Sequence, residues 1–366
     1  MRKLNIAVCL LLWLAYGCSQ KISSSTQVDE RLRKISVVET IRIARLTGKT
    51  LPGEKLPNTG HTTKYNVGGT DLGIMWDMED GRIGLFFGDS YGNDFVPVGG
   101  GPGKATDWRF NLLAFSTDTD LSDGLAIDSM ATDAKGAAKQ MLPPSEKSHT
   151  IIPTAAIHVD GADYVHYFDL KSWEGWVTNY SSVYRSKNGG KTWERCDQIF
   201  FPRSSKFSVA AWAKKDGYVY MAGTKTLRTS PVYLCRFKEK DILHQKQYEY
   251  WNDLKGWLKG NEKEASKLFD GSVGEASLFF NDHFNCWMLA YLNDKTRNIE
   301  LRYAKHITGQ WSAPEILVAG KTFPGLYGPF MHPYNNGDVL YFSMSLWAPY
   351  NVFLMKSRLK QVTDQQ

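Results

Sequence analysis

One arrangement recurs along this chain: an apolar strand, a turn of Gly, Asp or Asn, an aromatic-rich strand, a variable loop, and a third strand often ending on a charged residue. The second and third strands are read at Ile83–Phe87 with Asn111–Ser116, Tyr164–Phe168 with Ser182–Ser186, Tyr218–Ala222 with Val232–Phe237, Trp287–Leu292 with Ile299–Ala304, and Val339–Met344 with Val352–Lys356. A first strand precedes each pair: Thr70–Trp76, Ile151–His158, Phe207–Ala213, Gly274–Phe280 and Tyr327–His332. Four joining turns carry Asp80-Gly81, Asp160-Gly161, Asp216-Gly217 and Asn336-Gly337, which supply the positive φ that tight hairpins require; Asn281–Phe284 is the exception. Meanders repeated radially protect their own edges, so the pattern predicts an all-β fold, a five-bladed β-propeller.

Val37–Leu46 is rich in β-branched residues and has no partner within the first unit, which predicts a strand closing the ring against the last one. Helical periodicity is scarce, and Asp253–Phe269 is the one segment that reads as a short helix. Ser186-Lys187-Asn188-Gly189-Gly190-Lys191-Thr192-Trp193 resembles the Asp-box turn of sialidase-type propellers, with Asn188 where Asp is usual. Gly309-Gln310-Trp311-Ser312 stands at the equivalent place in the fourth unit.

A chain that is 42% hydrophobic and 22% charged can build a large core. Its formal charge of +6 is scattered, with no basic run interleaved with aromatics, so no nucleic-acid partner is expected. Arg2 and Lys3 precede an apolar run, Ile6–Leu14, too short to span a bilayer, as in a signal peptide. The following Leu14-Ala15-Tyr16-Gly17-Cys18 resembles a bacterial lipobox, making Cys18 the expected site of lipid attachment. The expected organisation is a signal peptide at 1–17, a lipidated cysteine and polar tether at 18–36, one propeller at 37–360 and a disordered tail at 361–366. A monomeric envelope lipoprotein, periplasmic or outer-membrane anchored in a Gram-negative bacterium, would follow. Cys196, Cys235 and Cys286 remain, an odd number with no CxxC spacing, so buried free thiols are expected in place of a disulfide framework or a metal site.

First strands of propeller units line the central channel, so their polar residues converge. Asp71 and Glu275 lie on such strands, and Asp89 ends the apolar strand beginning at Ile83. An acid there is costly unless it is paired or functional, and glycosidic hydrolysis needs two carboxyl groups astride the bond. Each acid also has a structural reading: Asp71 and Asp89 as turn caps, Glu275 as the ion-pair partner of Arg228 or Arg109. Trp108, Arg109 and Asn111 precede or begin one third strand, and Trp173, Trp176, Asn179 and Tyr180 precede another. Such aromatic and amide groups stack on and bond sugar rings, although any one Trp can equally be core. Tyr327 and His332 lie on the last inner strand, His332 read as a neutral ligand-bonding imidazole. Gly99-Gly100-Gly101 lacks the Lys and helix of a phosphate loop and reads as an insertion between strands. No cofactor is predicted, and a structural channel ion is left open.

The runs Leu46-Thr47-Gly48, Gly68-Gly69-Thr70-Asp71-Leu72-Gly73, Phe87-Gly88-Asp89-Ser90, Asn179-Tyr180-Ser181, Gly274-Glu275 and Tyr327-Gly328-Pro329 to His332-Pro333 resemble the DUF4185 family. Characterised members of that family are endo-acting D-arabinan hydrolases on a five-bladed propeller. The resemblance implies that Asp71 and Asp89 match the catalytic aspartates and that Glu275 falls at another acidic motif position. It also implies arabinofuranosyl substrates such as those of mycobacterial arabinogalactan or lipoarabinomannan. Ser90 departs from the usual Thr while keeping a hydroxyl.

Overall fold

The structure, a computed structural model, describes residues 33–98 and 105–362. The expected signal peptide, Cys18, most of the tether and the Gly99–Gly101 run lie outside the described residues, as do the last four residues of the expected tail. Strands make up 52% of the described residues and short 3-10 turns 6%, and the chain is an all-β propeller.

Five antiparallel meanders follow one another. Their inner strands are Gly69–Asp77, Thr150–Val159, Val209–Lys215, Lys267–Asn281 and Leu326–Met331. Each inner strand touches those of the neighbouring units, and the fifth touches the first, so the ring is closed. Second strands lie at Ile83–Tyr91, Ala162–Ser172, Tyr218–Thr224, Cys286–Asn293 and Val339–Leu346. The third and fourth units join in one sheet where Ser230–Lys238 pairs with Lys267–Asn281.

Closure uses the segment expected for it. Ile35–Arg45 runs antiparallel to the last strand, Asn351–Gln361, so the regular fold begins and ends inside the stretches read as tether and tail. Arg45, almost fully buried, pins the seam: its guanidinium donates to both Glu54 carboxylate oxygens at 2.8 and 3.0 Å and to Asn351 Oδ1 at 2.8 Å. A buried guanidinium is tolerable because these bonds replace its water.

The helix expected over Asp253–Phe269 is absent. Gly256–Lys259 pairs with Glu249–Asn252 as a hairpin, and the stretch runs on through a 3-10 turn at Glu262–Glu264 into the inner strand from Lys267. Asn252 explains the difference: its Oδ1 accepts from the N–H groups of Leu254 and Lys255, which starts a turn, and Gly256 sits at φ 75° to complete it. Trp251 and Trp257 then face each other across the strands, ring centroids 5.3 Å apart.

The Asp-box-like turn is built as its residues suggest. Ser186 Oγ accepts from Gly190 N at 3.0 Å, Asn188 Oδ1 accepts from Thr192 N at 3.0 Å, and Trp193 Nε1 donates to Gly190 O at 3.1 Å. The Trp193 ring packs edge-on against Trp76 and Phe86, tying the second unit to the first. Cys196, Cys235 and Cys286 are buried free thiols.

Candidate active site

The inner strands have two ends, and at the end where they begin the strand pairing of the first unit is irregular. Thr70 pairs with Ser90 and Leu72 with Phe87, so Asp71 faces two residues, Gly88 and Asp89. Immediately beyond, Leu72 pairs with Phe87 and Ile74 with Phe86, leaving Gly73 as an extra residue on the inner strand itself. Such bulges re-aim side chains. Leu72 at φ 69° and Gly73 at φ 83° carry the distortion, held by Ser345 Oγ, which accepts from Leu72 N at 2.8 Å, and by Ser343 Oγ, which donates to Gly73 O at 2.8 Å. Gly88 leaves the space that Asp71 occupies: a Cβ there would lie 2.4 Å from Asp71 Oδ1.

Both aspartates line one cavity of about 830 Å³ that opens at this end of the ring, together with Glu275, Arg228, Tyr327 and Tyr350. Asp71 Oδ2 accepts from the Tyr327 hydroxyl at 2.9 Å, while its Oδ1 is buried without a partner. Burial, then the neighbouring Asp89, push the Asp71 carboxyl up to about 8 against the Tyr327 hydrogen bond. Asp89 is 5% exposed, and its Oδ1 accepts from Thr150 Oγ1 at 2.6 Å and Trp108 Nε1 at 2.9 Å. Burial raises Asp89 as well, but these two donors favour its anion and hold it to about 7. The pair is therefore graded: Asp89, with two donors on its anion, is the easier to ionise, and Asp71 holds its proton to higher pH.

Glu275 sits in a further register shift, between Val273 and Ala276, and Oε1 accepts from Arg228 Nε at 3.1 Å and Nη2 at 2.6 Å. Of the two partners considered for it, Arg228 is the one found. Arg228 also lies over the rings of Trp176, at 5.0 Å, and Tyr327, at 5.6 Å. Burial works against its charge, but the attraction of Glu275 is enough to move its pKa up. Trp173 and Trp347 flank the opening, each substantially exposed.

A family model described as "Domain of unknown function (DUF4185)" matches residues 58–356, from before the first inner strand into the last strand, Asn351–Gln361. The chain belongs to the DUF4185 family. Among curated proteins it is similar to notoamide biosynthesis cluster protein J of an Aspergillus species, 27% identical over 82% of this chain and 84% of that one. An uncharacterised 35.9 kDa protein of Mycolicibacterium smegmatis is 22% identical over 70% of this chain and 75% of its own. Among solved structures, an exo-β-1,3-galactanase from Phanerochaete chrysosporium superposes with a TM-score of 0.53 at 8% identity, covering 86% of this chain and 63% of that one. A family 117 glycoside hydrolase from Zobellia galactanivorans does so at 0.50 and 12% identity, covering 92% and 93%. These likenesses establish the propeller fold.

Within this DUF4185 domain, the cavity gathers Asp71, Asp89, Glu275, Arg228, Tyr327, Trp173 and Trp176 of the residues singled out from sequence, and Trp108 reaches it through Asp89. Five others lie elsewhere. Arg109 ties loops together, donating to Ala138 O and Asn66 O at 2.7 Å each. Asn111 is fully buried, its amide bonding the backbone of Met141 and Leu142. Asn179 donates to the buried Asp169 at 2.8 Å, and Tyr180 stacks on Phe200 at 5.5 Å. His332 lines a separate cavity of about 360 Å³ at the other end of the ring. Conversely, Thr150 and Tyr350 belong to the site. Tyr350 had a legible signal: Trp347-Ala348-Pro349-Tyr350 fills the same between-strand position in the fifth unit as the aromatic loops of the first two. Among the described residues no three or more His, Cys, Asp and Glu side chains are grouped to hold a metal ion.

Proposed function

We propose that this chain is a glycoside hydrolase in which Asp71 is the general acid and Asp89 the ionised partner. The observation that carries the reading is the graded pair: two buried carboxyls brought together by one bulged hairpin, one kept protonated near neutral pH and the other given two hydrogen bonds to its anion. In this reading Asp71 protonates the glycosidic oxygen as the bond to the anomeric carbon breaks. Asp89 then either attacks that carbon or takes a proton from an incoming water, according to whether the carboxyls stand about 5 Å or about 6.5 to 9.5 Å apart. Arg228 with Glu275, and the flanking tryptophans, hold sugar hydroxyls and ring faces.

The proposed substrates are α-linked D-arabinofuranosyl polymers cut internally, supported by the family resemblance of the Asp71 and Asp89 segments. The fungal galactanase and the marine hydrolase act on glycans according to their names, but the acids, not the shared fold, support the same chemistry here. Purified protein incubated with D-arabinans, galactans and xylans should release oligosaccharides from D-arabinan, read by product chromatography. Products from galactan or xylan alone would replace the substrate, and no products from any would leave a non-catalytic glycan-binding propeller. Lipid attachment at Cys18 and an envelope location complete the proposal; a Cys18→Ala variant should lose membrane attachment on fractionation, and an unmodified, wholly soluble wild type would overturn it.

A further inference from the structure

The segment 143–149 leads into the inner strand of the second unit and delivers its next residue, Thr150, to Asp89. A buried carboxylate holds that segment from behind. Asp169 is fully buried and, among the described residues, has no ion-pair partner. Its Oδ2 accepts from Ser148 Oγ at 2.5 Å and Ser145 Oγ at 3.2 Å, and its Oδ1 from Asn179 Nδ2 at 2.8 Å. Ser145 and Ser148 close a turn on each other, Ser145 N donating to Ser148 Oγ at 2.9 Å and Ser148 N to Ser145 O at 3.1 Å. His149 follows: its N–H donates to Leu170 O at 2.7 Å, beside Asp169, and its ring packs against Trp108 at 5.1 Å. Thr150 and Trp108 are the two donors on Asp89 Oδ1. Asp169 does not line the cavity, so it cannot touch a substrate there.

A carboxylate sealed away from water is costly unless strong hydrogen bonds replace its hydration, and bonds to a charged acceptor are the strong ones. These bonds are spent on the turn that ends at Thr150. We propose that Asp169 is a positioning residue: through Ser145 and Ser148 it fixes the segment that sets Thr150, and by way of His149 the indole of Trp108, on the working carboxyl of Asp89. The proposal rests on Asp89 being a working group, and it assigns the acid limb of the reaction's pH dependence partly to a residue remote from the cavity. Asp71, Tyr91 and Tyr350 also face Asp89 from outside this segment, and His149 within it packs against the Trp108 ring that donates to Asp89.

The test is the titration of Asp89, followed by carbon NMR of labelled aspartate in the full chain, which needs no turnover. Thr150→Val should raise its midpoint by roughly half a unit to one unit, because a donor to the anion is lost. Ser148→Ala, which removes the shortest link to Asp169 and is milder than Asp169→Ala, should shift it in the same direction by less. The double variant should shift by less than the sum of the two single shifts, the remainder passing through His149 and Trp108, the non-additivity expected of a shared pathway. In an active enzyme the acid limb of kcat/KM moves with the titration, while unfolding temperature reports the structural cost separately. An Asp89 midpoint unchanged in Ser148→Ala, or a Ser148→Ala shift that persists in full on the Thr150→Val background, overturns the proposal. A protein that cleaves no glycan yet shows these shifts keeps the positioning and removes the hydrolase reading.

Discussion

The two ends of the same five inner strands are built differently. Where the inner strands lead into the second strands, four hairpin turns carry the Asp-Gly or Asn-Gly pairs seen in the sequence, and the cavity there is lined by residues such as His158, Lys215 and His332. At the other end, the strands that bring acids or phenols to the cavity are all irregular. Asp71 lies in a register shift between Thr70 and Leu72, Glu275 in one between Val273 and Ala276, and Tyr327 at the edge of one reaching Phe330. The third unit pairs Val209–Lys215 with Tyr218–Thr224 without interruption and contributes no acid. Regular pairing alternates side chains between faces and settles register; a bulge breaks the alternation and lets neighbouring strands aim two carboxyls at one place. One end of the ring is thus specified for folding, the other distorted for chemistry.

The largest effect that follows is at the acids themselves. Asp71→Asn and Asp89→Asn should each lower kcat on the active glycan by on the order of 100-fold or more, since an amide keeps the shape but cannot exchange the proton. Near wild-type rates in both would remove the pair from the mechanism, and failure of both to fold would make the distorted end a structural feature.

A sharper contrast compares one glycine at each end. Gly88→Ala puts a Cβ 2.4 Å from Asp71 Oδ1 and 2.9 Å from Leu72 Cδ1, so the carboxyl must move. Activity should fall about 10- to 100-fold, because small misplacement of a reacting group is expensive. Gly161→Ala, at φ 70° in a hairpin with nothing within 4 Å, should cost about 1 kcal/mol of stability and leave kcat/KM alone. Equal losses of activity from both would erase the distinction between the ends.

The same contrast explains what could be read in advance. Asp160-Gly161 and Asp216-Gly217 announce hairpins because a positive φ selects those residue types locally, whereas Asn336-Gly337 falls in a longer loop without positive φ, and alternating apolar residues announce the strands. The bulges have no such local mark. Leu72 adopts φ 69° because Ser343 and Ser345, some 270 residues away, hold its backbone. Asp71, Asp89 and Glu275 were visible as acids in apolar strands, yet nothing local separated them from Asn111 or Arg109, whose polar groups serve the backbone of neighbouring loops. Thr150 was missed for the reverse reason: a threonine opening a strand is ordinary, and only its contact across to the first unit gives it a task.

The raised carboxyls also make the distorted end sensitive to pH. Asp71 and Asp89 hold protons more tightly in the folded chain than an ordinary aspartate does, so between about pH 4 and about 8 the folded state binds more protons than the unfolded one. Stability contributed by that proton uptake is fully present below the ordinary aspartate range, falls as pH rises, and is lost once pH passes about 7 for Asp89 and about 8 for Asp71. The unfolding temperature of Asp71→Asn relative to wild type should therefore climb with pH across that window, by roughly 2 °C or more. A difference that stays flat would show that Asp71 ionises like a surface carboxyl. In the active protein the same pair should give a bell-shaped kcat/KM with limbs near 7 and near 8, values belonging to the pair as a whole.

The smallest effect is expected at the regular end. His332 follows the last inner strand, is 3% exposed, and accepts at Nδ1 from Tyr334 N at 3.4 Å, while its Nε2 is buried without a partner. Burial pushes the imidazole down to about 4, so it is neutral wherever the Asp71 and Asp89 pair works and adds no limb of its own to the pH profile. It lines the cavity at the far end from the acids and has no hydrogen bond to any residue of the acid-bearing cavity. His332→Gln should therefore change kcat/KM by less than about twofold, with a modest fall in unfolding temperature from the lost packing of a buried ring. Measured beside Asp71→Asn under the same conditions, a loss of comparable size would mean that the regular end takes part in the reaction and that the division between the two ends is wrong.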